Sequence, residues 1–301
     1  MPEPGGDDMT NVTRKDVNKL CRAPLCYALL MEMNNWKRSS RPWYPYSTNR
    51  PEVIKITQRI LSPTAINMYL QCPRKFYLRY IKRLKTRPSI YLIRGQIVHR
   101  TLHEFHKNHP RILPATPIGS IRTELMNTFT RLWDQAKDQF EALNMDETEL
   151  ERFQQQSERM LFNFSHWLLK NDFKCPDFSE LRLFSKNLRL MGIIDAVHQD
   201  PGGAIIIDYK TSQKPLITDD INRQAAIYAL LYEDRYQELP EAVWIHFLID
   251  PGDPIPIHID EHLMDYSKLL IESVREKTMS TEETDYPCTC GGYCERDMIK
   301  P

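Results

Sequence analysis

Residues 191–212 (MGIIDAVHQDPGGAIIIDYKTS) constrain the fold of this chain more than any other stretch. Two apolar runs rich in Ile and Val flank a Pro-Gly turn, a pattern that predicts an antiparallel β-hairpin. Pairing the two strands across this turn places Asp195 directly opposite Asp208. Because side chains alternate along a strand, Asp208 and Lys210 share a face. The sequence therefore predicts a hairpin on which two carboxylates and a lysine converge.

This charged patch indicates a metal site. Opposed residues of an antiparallel pair have Cβ atoms roughly 5 Å apart, and like charges there are destabilising. A hard divalent cation with oxygen ligands, Mg²⁺ or Mn²⁺, would relieve the repulsion. Lys210 would then stabilise an oxyanion or position a water. The alternative is a solvated hairpin with two surface aspartates. Against it, Asp208 directly follows the apolar run 205–207, which is typical of a strand end or a site.

The charge of the chain is balanced overall but uneven locally. The 301 residues carry a formal net charge of zero, and 41% of them are hydrophobic, which suits a globular core. Residues 70–107, however, contain ten Lys or Arg and one acid, Glu104. This basic stripe indicates either a polyanion site or a solvated helix face.

The amino terminus is polar, and its longest apolar run is too short to span a bilayer. We therefore expect a cytoplasmic protein with no membrane contact. Disulfides are rare in that compartment, so the seven cysteines need another explanation.

A cluster of cysteines near the carboxyl terminus supplies such an explanation. Cys288, Cys290 and Cys294 lie within seven residues, and Gly291-Gly292 lets the backbone curl. Three thiolates so close together predict a soft-metal site that needs a fourth ligand. The candidates for that ligand are Cys72, Cys21, Cys26 and Cys175. The alternative is a reduced tail without a metal.

The remaining pattern predicts an α/β chain. Ser62-Pro63 is typical of a helix start, and Cys72-Pro73 interrupts that helix. Further helices are predicted over 90–108, 121–140, 147–169, 218–236 and 261–278, and strands over 178–184, 187–197, 204–209, 241–249 and 255–259. The first sixty residues, including a helix over 13–34, form an amino-terminal extension. Residues 110–175 form a helical insertion, and residues 286–301 form the cysteine tail.

Two helices carry further candidate residues. His99, His103 and His106 share a face of helix 90–108. One interpretation of this face is a metal ligand with neighbours that point into a cleft, and the other is a histidine-rich surface beside the basic stripe. For His103 and His106 we favour the surface. Gln224 and Tyr228 lie one turn apart on helix 218–236, and a Gln beside a buried Tyr is unusual for a core.

Taken together, these pieces resemble the PD-(D/E)XK nuclease superfamily, and in particular its RecB-like iron–sulfur branch. The resemblance covers roughly residues 61–301 and rests on SPTAINMYLQCPRKFYLRY, RGQIVHRTLHEF, GIIDA, IIIDYKTS and QAAIYALLY, in that order. Within that branch, the chain is similar to the CRISPR-associated exonuclease family and to AddB-type repair nucleases. It implies a restriction-endonuclease-like core, a mixed sheet flanked by helices.

The resemblance also implies roles for individual residues. It makes His99, Asp195, Asp208 and the carbonyl of Tyr209 ligands of Mg²⁺ or Mn²⁺, and Glu180 an additional acidic member. It makes Lys210 the catalytic lysine, with Gln224 and Tyr228 orienting the lysine or the substrate. Four cysteines would hold a 4Fe-4S cluster: Cys72, Cys288, Cys290 and Cys294. The C-x-C-x3-C spacing of the last three departs from the C-x2-C of relatives, so zinc stays an alternative.

The implied activity is metal-dependent hydrolysis of DNA, with single-stranded ends as the substrate of an exonuclease. The implied partners are DNA and the CRISPR integrase complex. Two alternatives stay open. One is a replication or repair nuclease of the RecB or AddB type, and the other is a non-catalytic nucleic-acid-binding subunit with a structural metal.

Overall fold

The computed structural model describes residues 59–109, 117–171, 175–200 and 202–298. All of them belong to one compact unit, Ile56–Pro301. The predicted amino-terminal extension and its helix lie outside the described residues, apart from residues 59 and 60.

A five-stranded mixed sheet forms the centre of this unit, with the strand order β1-β2-β3-β4-β5. The strands are β1 (Phe178–Ser185), β2 (Leu190–Asp200), β3 (Gly203–Lys210), β4 (Ala242–Phe247) and β5 (Ile255–Ile257). Neighbouring strands are antiparallel except β3 and β4, which are parallel. A parallel pair needs a crossover connection, and a long helix between β3 and β4 provides it.

The central hairpin has the predicted register. Asp200 pairs with Gly203 and Ala196 pairs with Ile207 across the turn. Extending this register by one residue places Asp195 opposite Asp208. The buried face of the hairpin specifies this register, because a slip of one residue would move every side chain to the other face.

Nine α-helices flank the sheet in the described part of the chain. They are α1 (Pro63–Gln71), α2 (Pro73–Phe76), α3 (Ile90–Asn108), α4 (Ile118–Gln135), α5 (Lys137–Glu141), α6 (Glu147–Lys170), α7 (Asp219–Tyr236), α8 (Glu261–Lys277) and α9 (Tyr293–Arg296). The Ser62 hydroxyl accepts a hydrogen bond from the Ala65 amide at 3.2 Å, which is the predicted N-cap. The predicted break at Cys72-Pro73 separates α1 from α2, and a π-helical turn, Tyr77–Ile81, follows.

The single helix predicted over residues 121–140 was wrong, because Ala136 divides it into α4 and α5. The Ala136 amide bonds to the Trp133 carbonyl, three residues back, so the α-helical ladder is interrupted there. The bend brings the rings of Trp133 and Phe140 to 4.6 Å between centroids. Packing of these two aromatic rings overrides the continuous periodicity.

The helices form two layers. Helix α7 packs on β1 and β2 and contacts α1 and α8, whereas α3 packs against α4, α6 and β1. The helices of the predicted insertion, α4 and α6, share one core with α3 and with Ala196, Ile207 and Tyr209 of the sheet. This mixed sheet flanked by helices confirms the predicted restriction-endonuclease-like α/β fold. Over the ranges that the structure describes, no helix combines the length and apolar character that crossing a bilayer requires.

Candidate active site

The polar residues predicted from the hairpin line one cleft of about 670 Å³. Strands β2 and β3 contribute Asp195, Asp208 and Lys210, while α3 contributes His99 and α7 contributes Gln224 and Tyr228. Helix α3, which precedes the insertion, and helix α7, which follows β3 after a loop, therefore meet the hairpin at this cleft.

Asp195 is held from two sides. Its Oδ1 lies 3.0 Å from His99 Nδ1, and its Oδ2 accepts the Tyr209 amide at 2.9 Å. Burial opposes a charge on the imidazole, but the carboxylates of Asp195 and Asp208 outweigh it and raise the pKa of His99. This pair therefore attracts a positive charge, either a proton or a cation.

A second network connects Asp208 to helix α7. Lys210 Nζ lies 2.6 Å from Asp208 Oδ2 and donates to Gln224 Oε1 at 2.7 Å. Gln224 Nε2 in turn donates to Asp208 Oδ1 at 3.2 Å and to the Tyr228 hydroxyl at 2.7 Å. The Gln224 amide thus fixes the lysine and the carboxylate at once, which explains the unusual Gln on this helix face.

Burial makes the Asp208 carboxylate costly to ionise. The side chain is only 3% exposed, and burial together with the charge of Asp195 raises its pKa, although Lys210 opposes the shift. Its Oδ2 contacts the Lys210 ammonium at 2.6 Å. A buried carboxylate that needs a positive charge beside it fits a site for a hard cation.

The structure brings His99 and Asp195 into contact, but the predicted ligands of the divalent ion do not all lie within coordination distance of one point. A group of three or more His, Cys, Asp or Glu could hold a metal ion where its ligand atoms lie within 4.8 Å of one another. Among the described residues, the cysteine cluster is the one group that meets this distance. The assignment of His99, Asp195, Asp208 and the Tyr209 carbonyl to one divalent ion stays a prediction. The donor types, one imidazole and hard oxygens, suit Mg²⁺ or Mn²⁺.

Two backbone features shape this region. A Cβ on Gly192 would lie 2.8 Å from Leu231 Cδ1 and 3.2 Å from Tyr228, so only glycine lets α7 approach β2 this closely. Glu180 has a left-handed backbone with φ of 50°, and the β1–β2 register places it across from Asp195. Strain of this kind at a non-glycine residue tends to occur at functional sites.

Glu180 lies in a second cleft of about 620 Å³ that shares His99 with the first. His103 lines this cleft, where its Nδ1 is 2.9 Å from the Ser179 hydroxyl and its Nε2 is 4.0 Å from Glu180. His103 is half-buried in the cleft wall rather than displayed on an open surface.

The prediction that His106 is a surface residue was wrong. His106 is buried, and its Nε2 lies 3.4 Å from the Tyr209 hydroxyl. The histidine face of α3 opens to the cleft at His99, but seven residues later the sheet and α6 cover it. Burial lowers the pKa of His106 to about 3, so this histidine is a neutral core residue.

Sequence reasoning missed Arg94, which lines the active-site cleft although it is almost fully buried. Its Nη2 donates to the Thr211 carbonyl at 2.6 Å, and its Nη1 donates to Gln156 Oε1 at 3.1 Å. Gln156 Oε1 also accepts from Gln213 Nε2 at 2.9 Å. This clamp ties α3 and α6 to the loop after Lys210. The one available signal was the position of Arg94 at the start of the RGQIVH stretch.

The predicted basic stripe is divided by the fold. Arg74 pairs with Glu283 and Glu295, Lys75 pairs with Asp297 at 2.7 Å, and Arg100 pairs with Glu104 at 3.0 Å. A shorter basic loop stays exposed ahead of α3, formed by Lys82, Arg83, Lys85 and Arg87. This loop leads to Tyr91, which is 60% exposed and lines the active-site cleft.

The four predicted cysteines form a separate centre. The sulfur atoms of Cys72, Cys288, Cys290 and Cys294 lie within 4.8 Å of one another, so Cys72 is the fourth member among the candidates. Cys288 Sγ is 3.7 Å from Cys290 Sγ and 3.5 Å from Cys294 Sγ. Cys21 and Cys26 lie outside the described residues, and Cys175 lies apart from the cluster.

The environment of Cys72 and Cys288 favours thiolates, which are the metal-binding form, whereas burial and the neighbouring sulfurs raise the pKa of Cys294. Burial raises the pKa of Cys72, but hydrogen bonds from the Thr289 and Lys75 amides outweigh burial and lower it to about 6. Amide hydrogen bonds also lower the pKa of Cys288. The residues present therefore fit a metal centre of four thiolates.

Comparisons with known proteins agree with this geometry. A family profile described as the PD-(D/E)XK nuclease superfamily matches residues 60–298. The fold is similar to the crystal structure of a candidate exonuclease from Eubacterium rectale, with a TM-score of 0.52 and 11% sequence identity. That match covers 82% of this chain and 90% of the other. No curated protein matches the chain.

Proposed function

Because the chain belongs to the PD-(D/E)XK nuclease superfamily, we propose that it is a Mg²⁺- or Mn²⁺-dependent deoxyribonuclease that degrades single-stranded DNA ends. The observation that carries this proposal is the cleft in which Asp195, Asp208 and Lys210 converge with His99. Burying a lysine beside a buried carboxylate has a desolvation cost, and such pairs occur preferentially at functional sites.

His99, Asp195 and Asp208 would hold the divalent ion, with the Tyr209 carbonyl as a further ligand. When bound, such an ion polarises the phosphate and lowers the pKa of an attacking water. The Tyr209 amide keeps Asp195 in place throughout, because its hydrogen bond of 2.9 Å comes from a rigid strand.

Lys210 is the residue that meets the reacting phosphate. Its ammonium group has three N–H donors, and one of them points to Gln224 while Asp208 balances the charge. The remaining donors can hold the attacking water or offset the charge of the transition state. Gln224 acts as a positioning residue because it bonds both the lysine and the carboxylate, and Tyr228 acts as one because its hydroxyl accepts from Gln224.

The basic loop supports a nucleic-acid substrate. Its four exposed cations precede Tyr91 at the mouth of the cleft, and an exposed aromatic ring there can stack on a base. Single-stranded ends are the substrate that the resemblance implies. A single strand also suits a site that combines stacking with contacts to the phosphate backbone.

Two observations point to different metals at the cysteine centre. The resemblance favours a 4Fe-4S cluster, in which each thiolate binds a different iron. The sulfur distances of 3.5 and 3.7 Å favour one zinc ion, since a tetrahedron with Zn–S bonds of 2.3 Å has edges of about 3.8 Å. Metal analysis of anaerobically purified protein distinguishes them. A cluster gives four irons per chain and broad absorbance near 400 nm, whereas zinc gives one colourless ion.

The resemblance implies two cellular settings, CRISPR adaptation and DNA replication or repair. A role in CRISPR adaptation predicts that the protein binds the CRISPR integrase complex. A repair role predicts that it processes DNA ends without that complex. Co-purification with the integrase separates these two proposals.

The nuclease proposal is tested with Mn²⁺ and DNA labelled at either end, offered as single and as double strands. We expect label to be released from single strands, and chelation of the metal to stop the release. Binding of DNA without any cleavage in Mn²⁺ or Mg²⁺ would instead favour the alternative, a non-catalytic binding subunit with a structural metal.

A further inference from the structure

The hairpin formed by β1 and β2 has an uncovered face beside the active site. Phe184 pairs with Met191, and Arg182 pairs with Ile193, so these four residues form two successive cross-strand rows. Phe184 is 58% exposed, Met191 48% and Ile193 42%, and Arg182 is exposed as well. We define these four residues as the hairpin strip.

The opposite face of the same hairpin is covered. Leu183, Ser185, Leu190 and Ile194 alternate with the strip residues and are buried, and helix α7 packs on this side. The exposure of the strip is therefore a property of one face and does not reflect a frayed hairpin. A contiguous row of exposed apolar side chains of this kind marks an interaction surface.

The strip is continuous with the candidate active site. The next cross-strand row in the same register is Glu180 opposite Asp195, and both residues lie at the catalytic clefts. Four residues along β2 separate Met191 from Asp195, a distance of about 13 Å at the rise of a β-strand. A strand held in the cleft would reach the hairpin strip within a few nucleotides.

The end of the hairpin that bears the strip has a charge that suits a polyanion. Its residues 181–194 include the exposed Arg182 and Lys186 and contain no acidic residue, whereas the carboxylates Glu180 and Asp195 lie at the clefts. Two copies of this surface would bring like charges together, which disfavours a dimer through the strip. Apolar and aromatic side chains interleaved with cations are instead the composition of a surface that binds single-stranded nucleic acid.

We propose that the hairpin strip is a stacking platform for the bases of a single strand whose scissile phosphate lies in the active-site cleft. Phe184 stacks on a base, Met191 and Ile193 extend the apolar surface, and Arg182 contacts the backbone phosphate. This inference rests on the proposed nuclease function and adds the path of the substrate to it.

The test measures binding of fluorescein-labelled oligothymidine in EDTA, so that no strand is cleaved. Phe184→Ala should weaken binding of a fifteen-nucleotide strand about tenfold, the effect of one lost stacking contact. The control is Leu269→Ala, since Leu269 is 52% exposed on α8 and lines neither cleft. It should bind like the unaltered protein. A dinucleotide, which is shorter than the distance of about 13 Å between Asp195 and Met191, should bind equally well to all three proteins.

A second readout reports on the contact itself. Tryptophan fluorescence of a Phe184→Trp variant should be quenched by oligothymidine, whereas that of Leu269→Trp should not change. An oligonucleotide with abasic sites opposite the strip should bind the unaltered protein as weakly as oligothymidine binds Phe184→Ala. The same abasic oligonucleotide should bind Phe184→Ala with no additional loss of affinity.

Several outcomes would overturn the inference. Unchanged affinity in Phe184→Ala, or equal quenching in both tryptophan variants, would show that bases do not stack on the strip. A change from dimer to monomer in Phe184→Ala, measured by light scattering, would identify the strip as a contact between copies. If the unaltered protein neither binds nor cleaves DNA, the proposed nuclease function is wrong. If it binds DNA but Phe184→Ala binds equally well, only the stacking platform is wrong.

Discussion

The candidate active site and the cysteine centre are assembled in opposite ways. The active site stands on strands and long helices, and hydrogen bonds among its own side chains hold it together. The cysteine centre joins Cys72, at the break between α1 and α2, to a tail whose regular structure is limited to the four residues of α9. At this centre Cys288 Sγ lies 3.7 Å from Cys290 Sγ and 3.5 Å from Cys294 Sγ.

The two regions differ in the interactions that hold their residues in place. The active site needs the register of the hairpin and the packing of α7, both of which come from the buried core. The tail is held by contacts to a few neighbouring residues: the Thr289 hydroxyl donates to the Gln71 carbonyl at 3.0 Å, Lys75 pairs with Asp297, and Tyr286 packs on Phe76 and Tyr77. A metal bound by the four sulfurs would add a cross-link to α1 and α2. A metal clip that closes so long a loop stabilises mainly by restricting the unfolded chain. The two regions should therefore respond independently to mutation.

The largest expected effect is on catalysis at the hairpin. Asp208→Asn and Lys210→Ala should each lower Mn²⁺-dependent cleavage of single-stranded DNA by at least about 100-fold, because each removes a charge at the reacting phosphate. Both variants should retain the metal of the cysteine centre. Lys214→Ala is the control, since Lys214 lines the same cleft but lies outside the hydrogen-bond network. Full activity in either Asp208→Asn or Lys210→Ala would remove these residues from the mechanism.

The second-largest effect is expected on the stability of the protein, when the cysteine centre is altered. Cys72→Ser should abolish metal binding by the cysteines and lower the melting temperature by more than about 5 °C, because it removes the metal cross-link between the tail and helices α1 and α2. Cys175→Ser should change neither quantity, since Cys175 lies apart from the cluster. Full metal content in purified Cys72→Ser would contradict the assignment of the fourth ligand.

The histidines of α3 give a smaller and graded effect. His99→Ala should lower activity about 100-fold and weaken Mn²⁺ binding, because His99 contacts Asp195 directly. His103→Ala should lose less than about tenfold, since its ring contacts Ser179 and Glu180 in the neighbouring cleft. His106→Ala should act mainly on stability, because this side chain packs in the core. Equal losses of activity at His99 and His103 would indicate a histidine-built metal site instead.

The Arg94 clamp should give the smallest effect. Arg94→Met should lower kcat about tenfold, because the loop that begins at Thr211 would lose its hydrogen bond to α3 and misplace the adjacent Lys210. Arg122→Met is the matched control, since Arg122 stacks on Phe162 and lines none of the clefts around the hairpin. Unchanged kcat in Arg94→Met with an unchanged melting temperature would show that the clamp is dispensable.

These residues also show where sequence reasoning succeeds and where it fails. The hairpin register, the Ser62 cap and the break at Cys72 could be predicted because each depends on a few neighbouring residues. The burial of His106 and the clamp from Arg94 to Gln156 could not, because both depend on how α6 packs against α3. Cys72 could be singled out among the candidate ligands only by the resemblance, since no local pattern brings it near the tail.

The central claim is that the carboxylate site, and not the cysteine centre, holds the catalytic ion. Mn²⁺ binding measured by electron paramagnetic resonance in the absence of DNA tests this claim most directly. We expect Cys72→Ser, if it stays folded, and Lys210→Ala to bind Mn²⁺ within a few-fold of the affinity of the unaltered protein, whereas Asp208→Asn should bind at least about 100-fold more weakly, through loss of a charged ligand. Equal Mn²⁺ affinity in Asp208→Asn and the unaltered protein would contradict the account.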